Sequence, residues 1–208
     1  MFFAFLIVIL VSLLVGFAAG RFRVYELQNR GEVAVRRAIR ATFDTSDYHL
    51  MNNVTIPMVE GTTQIDHVLI SRFGIFVIET KHYSGWIYAD AASAKWTQAI
   101  GNAKFQFQNP IRQNYKHIKA VESGLLRIVP GVPVRSVVVF TGKAVFKNEL
   151  PVGVFYLNGL TSHLATFQEA VLSKEALEQC VGNLECQRLA LTQQTDVEHR
   201  QFLQRKYG

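Results

Sequence analysis

Two short apolar runs, Ile65–Ile70 and Ile75–Ile78, separated by Ser71-Arg72-Phe73-Gly74, constrain this chain more than any other stretch. Runs of that length, rich in Val, Ile and Phe and broken by a Gly-containing tetrapeptide, read as a β-hairpin. Three ionisable residues, Asp66, Glu79 and Lys81, lie inside or just past these strands. A charged group beside a buried sheet costs free energy unless something pairs with it, so the pattern asks for a chemical reason.

Register supplies one. Side chains alternate faces along a strand, which puts Glu79 and Lys81 on the same side. A two-residue loop at Arg72-Phe73 sets Asp66 opposite Glu79; a loop at Phe73-Gly74 sets it opposite Lys81. Either loop gathers all three groups within the roughly 4.5–5.5 Å of cross-strand pairs, whereas a three-residue loop would scatter them. Two carboxylates and an ammonium on one spot suit a hard, oxygen-preferring cation such as Mg²⁺. The plain structural account is an ion pair between Lys81 and the acids, but three charges leave one acid uncompensated.

The same residues carry a resemblance. Asp66, twelve intervening residues and Glu79-Thr80-Lys81 follow the D…(D/E)xK signature of the PD-(D/E)XK nuclease superfamily. Gly31-Glu32 opening a helix, Gln64-Ile65-Asp66-His67, Gly74 to Lys81, Ser84-Gly85, Trp96 and Asn109-Pro110-Ile111-Arg112-Gln113 together resemble a NERD (nuclease-related) domain, roughly from Gly31 to Gly142. A bare D-x12-ExK arises often by chance; six landmarks in order are specific. Ile65 stands where the superfamily name has Pro, a position that supplies no ligand, and the NERD pattern also reads Ile-Asp.

The resemblance implies a restriction-endonuclease-like α/β fold: a three-layer α/β/α core of order αβββαβ around a mixed central sheet. It implies a nucleic-acid substrate, DNA ahead of RNA, and a bound Mg²⁺ or Mn²⁺. Asp66 and Glu79 would be ligands, joined by the carbonyl of Thr80 and, through water, by Glu32. Lys81 would orient the attacking water or stabilise the pentavalent transition state, and Gln113 would support the site. Flanking carboxylates favour the protonated ammonium, so Lys81 is not read as a free base.

Residues 1–20 contain no charge. At about 1.5 Å per residue they span about 30 Å, the hydrocarbon thickness of a bilayer. No Lys or Arg precedes the run and it exceeds the usual signal-peptide core, so it reads as a retained anchor rather than a cleaved signal. Arg21, Arg23, Arg30, Arg36, Arg37 and Arg40 follow it. By the positive-inside rule the N-terminus lies outside and the rest in the cytoplasm, a single-pass protein of the inner membrane. The expected organisation is an anchor over 1–20, a linker over 21–30, the nuclease-like domain over 31–160 and a helical extension over 161–208.

The net charge of +6 belongs wholly to the part after the anchor. It suits nucleic acid, and equally juxtamembrane Arg facing anionic lipid, so charge alone favours neither. Cys180 and Cys186 lie close together with no second Cys or His pair beside them and read as ordinary thiols.

Gly31 to Phe43 reads as the first helix, with Val35, Ala38 and Ile39 on one face and Arg36, Arg37 and Arg40 on another. Glu32, in its first turn, either offsets the helix dipole or reaches a metal. His49 to Val54 reads as a strand. His67, one step from Asp66, points to the opposite face and reads as a core or supporting histidine. Tyr83-Ser84-Gly85 reads as a turn into a third strand, Trp86-Ile87-Tyr88, with another around Lys95 to Gln98 beside it. Trp86 and Trp96 read as core packing rather than base stacking.

Asn109-Pro110 is a strong helix start, since Asn caps free amides and Pro at the first position has no amide to waste. Ile111, Ile118, Val121 and Leu125 make its buried stripe, running to about Arg127. Arg112, Lys116 and Lys119 form a basic row that serves either as a solvated face or as a phosphate contact beside the site. Gln113 opens this helix and His117 follows one turn on. Val134 to Thr141, almost continuously apolar, reads as a strand covered on both faces and joined by a parallel crossover. The last fifty residues read as helical, with Ser162 and Ser173 as caps and a capping box at Thr195-Asp196-Val197-Glu198.

Three functions fit this pattern: a membrane-anchored Mg²⁺-dependent nuclease, a non-catalytic module tethering nucleic acid to the membrane, and a reused fold that docks protein through its terminal helices. Binding alone does not need an acidic metal site, and acids repel phosphate, so the first is preferred.

Overall fold

The structure, a computed structural model, describes residues 30–43, 46–58 and 60–190. The apolar run 1–20, the linker up to residue 29 and the box at Thr195–Glu198 lie outside them. Among the described residues no helix is long and apolar enough to cross a membrane.

Helix α1 (residues 30–42) is followed by strands β1 (Tyr48–Pro57), β2 (Thr62–Ser71), β3 (Gly74–Tyr88), β4 (Lys95–Ile100) and β5 (Ala103–Gln108). Then come α2 (Pro110–Leu125), β6 (Val134–Phe146), β7 (Val154–Tyr156), α3 (Leu157–Leu164) and α4 (Lys174–Gln187). The seven strands form one mixed sheet. β1, β2 and β3 are antiparallel neighbours. On its other edge β3 lies parallel to β6, from Ile75↔Val134 to Ile87↔Phe146, and β7 lies parallel outside β6.

β6 behaves as its apolar run requires. Val137, Val138, Val139 and Phe140 are all buried, because both faces of the sheet are covered there. Ile118, Val121 and Leu125 of α2, with Leu177, Cys180 and Leu184 of α4, pack on Val68, Ile70, Ile75 and Val77. Val35 and Ile39 of α1, with Leu160 and Leu164 of α3, pack on Leu69, Phe76, Ile78, Val137 and Val139 on the opposite face. The result is three layers, with the four helices of the described residues divided between the two outer ones. α3 straddles residues 160 and 161, and both terminal helices bury apolar residues against the sheet. Cys180 is buried and Cys186 exposed, both as free thiols.

The cap at α2 is as expected: Asn109 Oδ1 accepts the amide of Ile111 at 2.9 Å, with Pro110 in the first position. Ser173 likewise caps α4, accepting the amide of Ala176 at 3.1 Å.

Three local expectations are corrected. Tyr83-Ser84-Gly85 is no turn; β3 runs through it unbroken, since β6 keeps pairing along its whole length. Gly85 absorbs the bend with φ of 78°, and a Cβ there would lie 2.4 Å from the Ala99 carbonyl oxygen. Ser162 lies inside α3 instead of capping it, because that helix already starts at Leu157 directly after β7. Trp96 is core, 1% exposed, but Trp86 is 49% exposed: α1 does not extend over the far end of the sheet, so its alternate face stays open.

Candidate active site

The hairpin register decides between the two loops. Ser71 pairs with Gly74 and His67 with Ile78, so the loop is Arg72-Phe73 and the continuing register sets Asp66 opposite Glu79. Ser71 fixes that loop: its hydroxyl donates to the Gly74 carbonyl at 2.8 Å and accepts the Phe73 amide at 3.2 Å. The ladder ends at His67↔Ile78. In its place the Asp66 carboxylate accepts the backbone amide of Thr80 at 2.7 Å. A strand residue's N–H and C=O leave by the same edge, so the Thr80 carbonyl also faces the Asp66 side.

Between that point and Trp86, where β4 begins to pair, one edge of β3 has no strand beside it. The acids sit at the head of this notch. Glu79 is 1% exposed, and its two oxygens are claimed by different groups. Lys81 Nζ lies 2.5 Å from Oε1, and His117 Nε2 lies 3.2 Å from Oε2. Lys81 also donates to Gln113 Oε1 at 3.1 Å, which joins α2 to the strand. His117 Nδ1 is 2.7 Å from the hydroxyl of Thr63, so its ring is held from both ends. Asn114, between the two, donates to the carbonyl of Val77 at 2.8 Å and to Ser136 Oγ at 2.8 Å, locking α2 onto the sheet.

Electrostatics follow the geometry. Burial alone would raise the Glu79 carboxyl, but Lys81 and His117 overcome it and bring it down to about 2. Burial pulls Lys81 downward, and the Glu79 carboxylate more than reverses this, so the ammonium stays charged. Asp66 is pushed well above the usual carboxylate range by burial and then by Glu79 and Glu32. Glu32 is raised to about 7 by burial, then by Glu79. Three acids therefore share one field, opposed chiefly by Lys81, with His117 acting on Glu79 and Arg36 on Glu32.

Glu32 reaches the site because α1 lies tight against the sheet. A Cβ on Gly31 would sit 2.7 Å from Thr141 Oγ1 and 2.9 Å from His82 Cβ, so only glycine lets the helix start there. His67, on the α1 side, donates from Nδ1 to Asn52 Oδ1 at 2.8 Å and is held neutral, lowered to about 4 by burial and by Arg36. It is the supporting histidine expected.

Of the basic row, Arg112, Lys116 and Lys119 are all exposed on α2. Arg112 donates to the Ala92 carbonyl of the loop after β3, and Lys119 pairs with Glu122 at 2.7 Å. The structure thus brings together Asp66, Glu79, Lys81, Gln113 and, electrostatically, Glu32, and leaves the basic row outside. His117 is the contact that the sequence pattern leaves without a role. Its spacing of four residues from Gln113 puts both on one helix face, which is the signal that could have found it.

Among the described residues no three His, Cys, Asp or Glu side chains are arranged to ligate one ion. The donor set nevertheless fits a divalent cation. Two carboxylates and a backbone carbonyl are hard oxygen donors, and a cation that keeps several waters needs no more from the protein. Asp66 and Glu32 are raised first by burial and then by the neighbouring carboxylates, and a cation would relieve that repulsion.

A mixed sheet between helical layers, with an aspartate and a Glu-x-Lys meeting where two strands part, defines a nuclease-like α/β domain. A family model described as nuclease-related domain (NERD) matches residues 27–141. The chain is also similar to an uncharacterized protein of Bacillus anthracis, 37% identical over 153 residues, which is 71% of this chain and 70% of that protein. No solved structure matches it. The chain belongs to the NERD family, within the PD-(D/E)XK superfamily.

Proposed function

We propose that this protein is a membrane-anchored, Mg²⁺-dependent nuclease that hydrolyses phosphodiester bonds, of DNA ahead of RNA. The observation that carries this reading is the convergence of Asp66, Glu79, Lys81 and Gln113 at the parting of β2 and β3. Asp66, Glu79 and the Thr80 carbonyl would hold Mg²⁺ or Mn²⁺, with Glu32 behind them. When bound, such a cation supplies Lewis acidity and lowers the pKa of a coordinated water.

The chain's own residues do the rest. Lys81, kept protonated by Glu79, offers hydrogen bonds to an incoming water and to charge building on the phosphoryl oxygens. Gln113 holds the ammonium in place, and His117 with Thr63 fixes the rotamer of Glu79. The 20 uncharged residues at the start, followed by six arginines, support an inner-membrane anchor with the domain on the cytoplasmic side.

The test incubates the full-length protein in detergent with circular DNA, linear DNA and RNA, in Mg²⁺, in Mn²⁺ and in chelator. Glu79→Gln and Lys81→Ala variants run alongside. Metal-dependent cleavage lost in both variants is expected. Cleavage that survives both would belong to a contaminant, and folded protein that binds without cutting would make the chain a tether.

A further inference from the structure

The far half of β3 alternates sharply: Ser84, Trp86 and Tyr88 are exposed while Ile87 is buried. Register carries the pattern across four strands. Trp86 neighbours Val145 on β6 and Ala99 on β4; Ser84 neighbours Lys143; Ala99 neighbours Lys104 on β5. Lys95 shares that face of β4, two and four residues before Thr97 and Ala99. Lys147, just past β6, places its ammonium 4.0 Å from the centre of the Trp86 ring. The strand positions of this face hold two exposed aromatics, Val145 and three lysines, and no acid. Neither α1 nor α3 covers it; both pack on the other half of the sheet.

We propose that this open face is a binding platform for an unpaired nucleic-acid strand. The proposal rests on the nuclease reading and deepens it by naming the substrate class. Lysines without intervening acids complement a phosphate backbone. Aromatic side chains set two residues apart on one face of a sheet offer π-faces on which bases stack, and only an unpaired strand has base faces to offer. Trp86 and Tyr88 lie five and seven residues beyond Lys81 on the same strand, about 17–23 Å at 3.3 Å per residue. Their side chains leave the face opposite to that of Glu79, and the two faces meet at the notch where β3 lacks a neighbour. A strand lying on the platform therefore leads into the site. Charge and aromaticity also suit an anionic bilayer, but the exposed apolar side chains beside the β4–β5 turn, Ile100 and Phe105, belong by register to the opposite face.

The experiment uses the full chain in nanodiscs of zwitterionic lipid, in chelator so that nothing is cut. A thymine oligonucleotide is titrated in, alone or annealed to its complement, and binding is read by oligonucleotide anisotropy and by tryptophan emission. The two tryptophans differ in exposure, 49% for Trp86 and 1% for Trp96, so quenching reports Trp86. Expected are quenching by the single strand but not by the duplex, and about 10-fold weaker single-strand binding in Trp86→Ala, with Trp86→Phe close to wild type. Lys104→Glu with Lys143→Glu should flatten the salt dependence. Equal affinity for duplex and single strand, or an unchanged Trp86→Ala, overturns the proposal. So does silence toward oligonucleotides with a blue shift on adding anionic lipid, which would make the face a membrane contact. Protein that cuts in Mg²⁺ but shows no Trp86 response overturns the platform alone; protein that binds through Trp86 but never cuts overturns the nuclease reading alone.

Discussion

His117 Nε2 and Glu79 Oε2 lie 3.2 Å apart across the boundary between helix and sheet, and Thr63 holds the far nitrogen of the same ring at 2.7 Å. The imidazole thereby aligns a carboxylate whose other oxygen is bound to Lys81. Groups that orient a metal-binding side chain typically cost 10–100-fold in metal affinity or activity when removed. His117→Ala should lose about that much cleavage while the fold persists. Thr63→Val should lose less and in the same direction, because it frees one end of the ring only. A steady-state comparison of kcat and KM with rising Mg²⁺ checks this: a positioning role lets added cation recover part of the loss.

Glu79 and Lys81 should be coupled in stability. Removing one member of a buried pair leaves the other uncompensated, at a cost of about 3–5 kcal/mol. Glu79→Gln with Lys81→Met should therefore be more stable than the sum of the two single losses implies. Thermal unfolding of the four proteins closes that cycle.

Divalent cation should stabilise the wild type by binding the folded state alone. At 100 times the dissociation constant this amounts to about 2.7 kcal/mol. The rise in Tm with Mg²⁺ should vanish on chelation and shrink strongly in Asp66→Ala, where the raised carboxyl is gone. A full Mg²⁺ response in Asp66→Ala would place the cation elsewhere.

Gly31→Ala tests the seat of α1. Its methyl would meet Thr141 Oγ1 at 2.7 Å and His82 Cβ at 2.9 Å, so the helix start must lift. Overpacking of this kind costs about 1–3 kcal/mol. Since Glu32 is the next residue, cleavage should fall too, and restoring space with Thr141→Ser should not recover it, because the hydroxyl stays. Unfolding curves and activity read in parallel decide the matter.

His67 makes stability fall in acid. Its folded pKa is lowered to about 4 against an ordinary value of 6.5, so the unfolded chain binds the proton more readily between those values. The contribution is complete above pH 6.5 and is lost as pH drops toward 4. His67→Gln should flatten that part of the pH–stability curve, measured by denaturation at a series of pH values. Glu32 acts in the opposite sense: raised to about 7, it favours folding in its protonated form, an advantage that fades between pH 4.5 and 7.

Much of this was legible in order along the chain. Two short apolar runs and a tetrapeptide break marked β2 and β3, Asn109-Pro110 marked α2, and a nearly continuous apolar run marked β6 as a doubly covered strand. These features are local, and local sterics and hydrogen bonding enforce them. The continuity of β3 through Gly85 was not legible, because Tyr83-Ser84-Gly85 has the composition of a turn and only the long parallel ladder to β6 holds it extended. Trp86 misled for a related reason: a tryptophan in a strand is ordinarily core, and its exposure depends on how far α1 reaches across the sheet.

The sequence alone determined which residues could do the chemistry, since an Asp and a Glu-x-Lys at the ends of two alternating strands can share a face by parity of position. Only the tertiary structure decided the rest. It chose the Arg72-Phe73 loop, set Asp66 against the Thr80 amide, and brought Gln113 and His117 from a helix over thirty residues away onto Lys81 and Glu79. Those contacts depend on how layers pack, and packing joins residues that no periodicity along the chain relates.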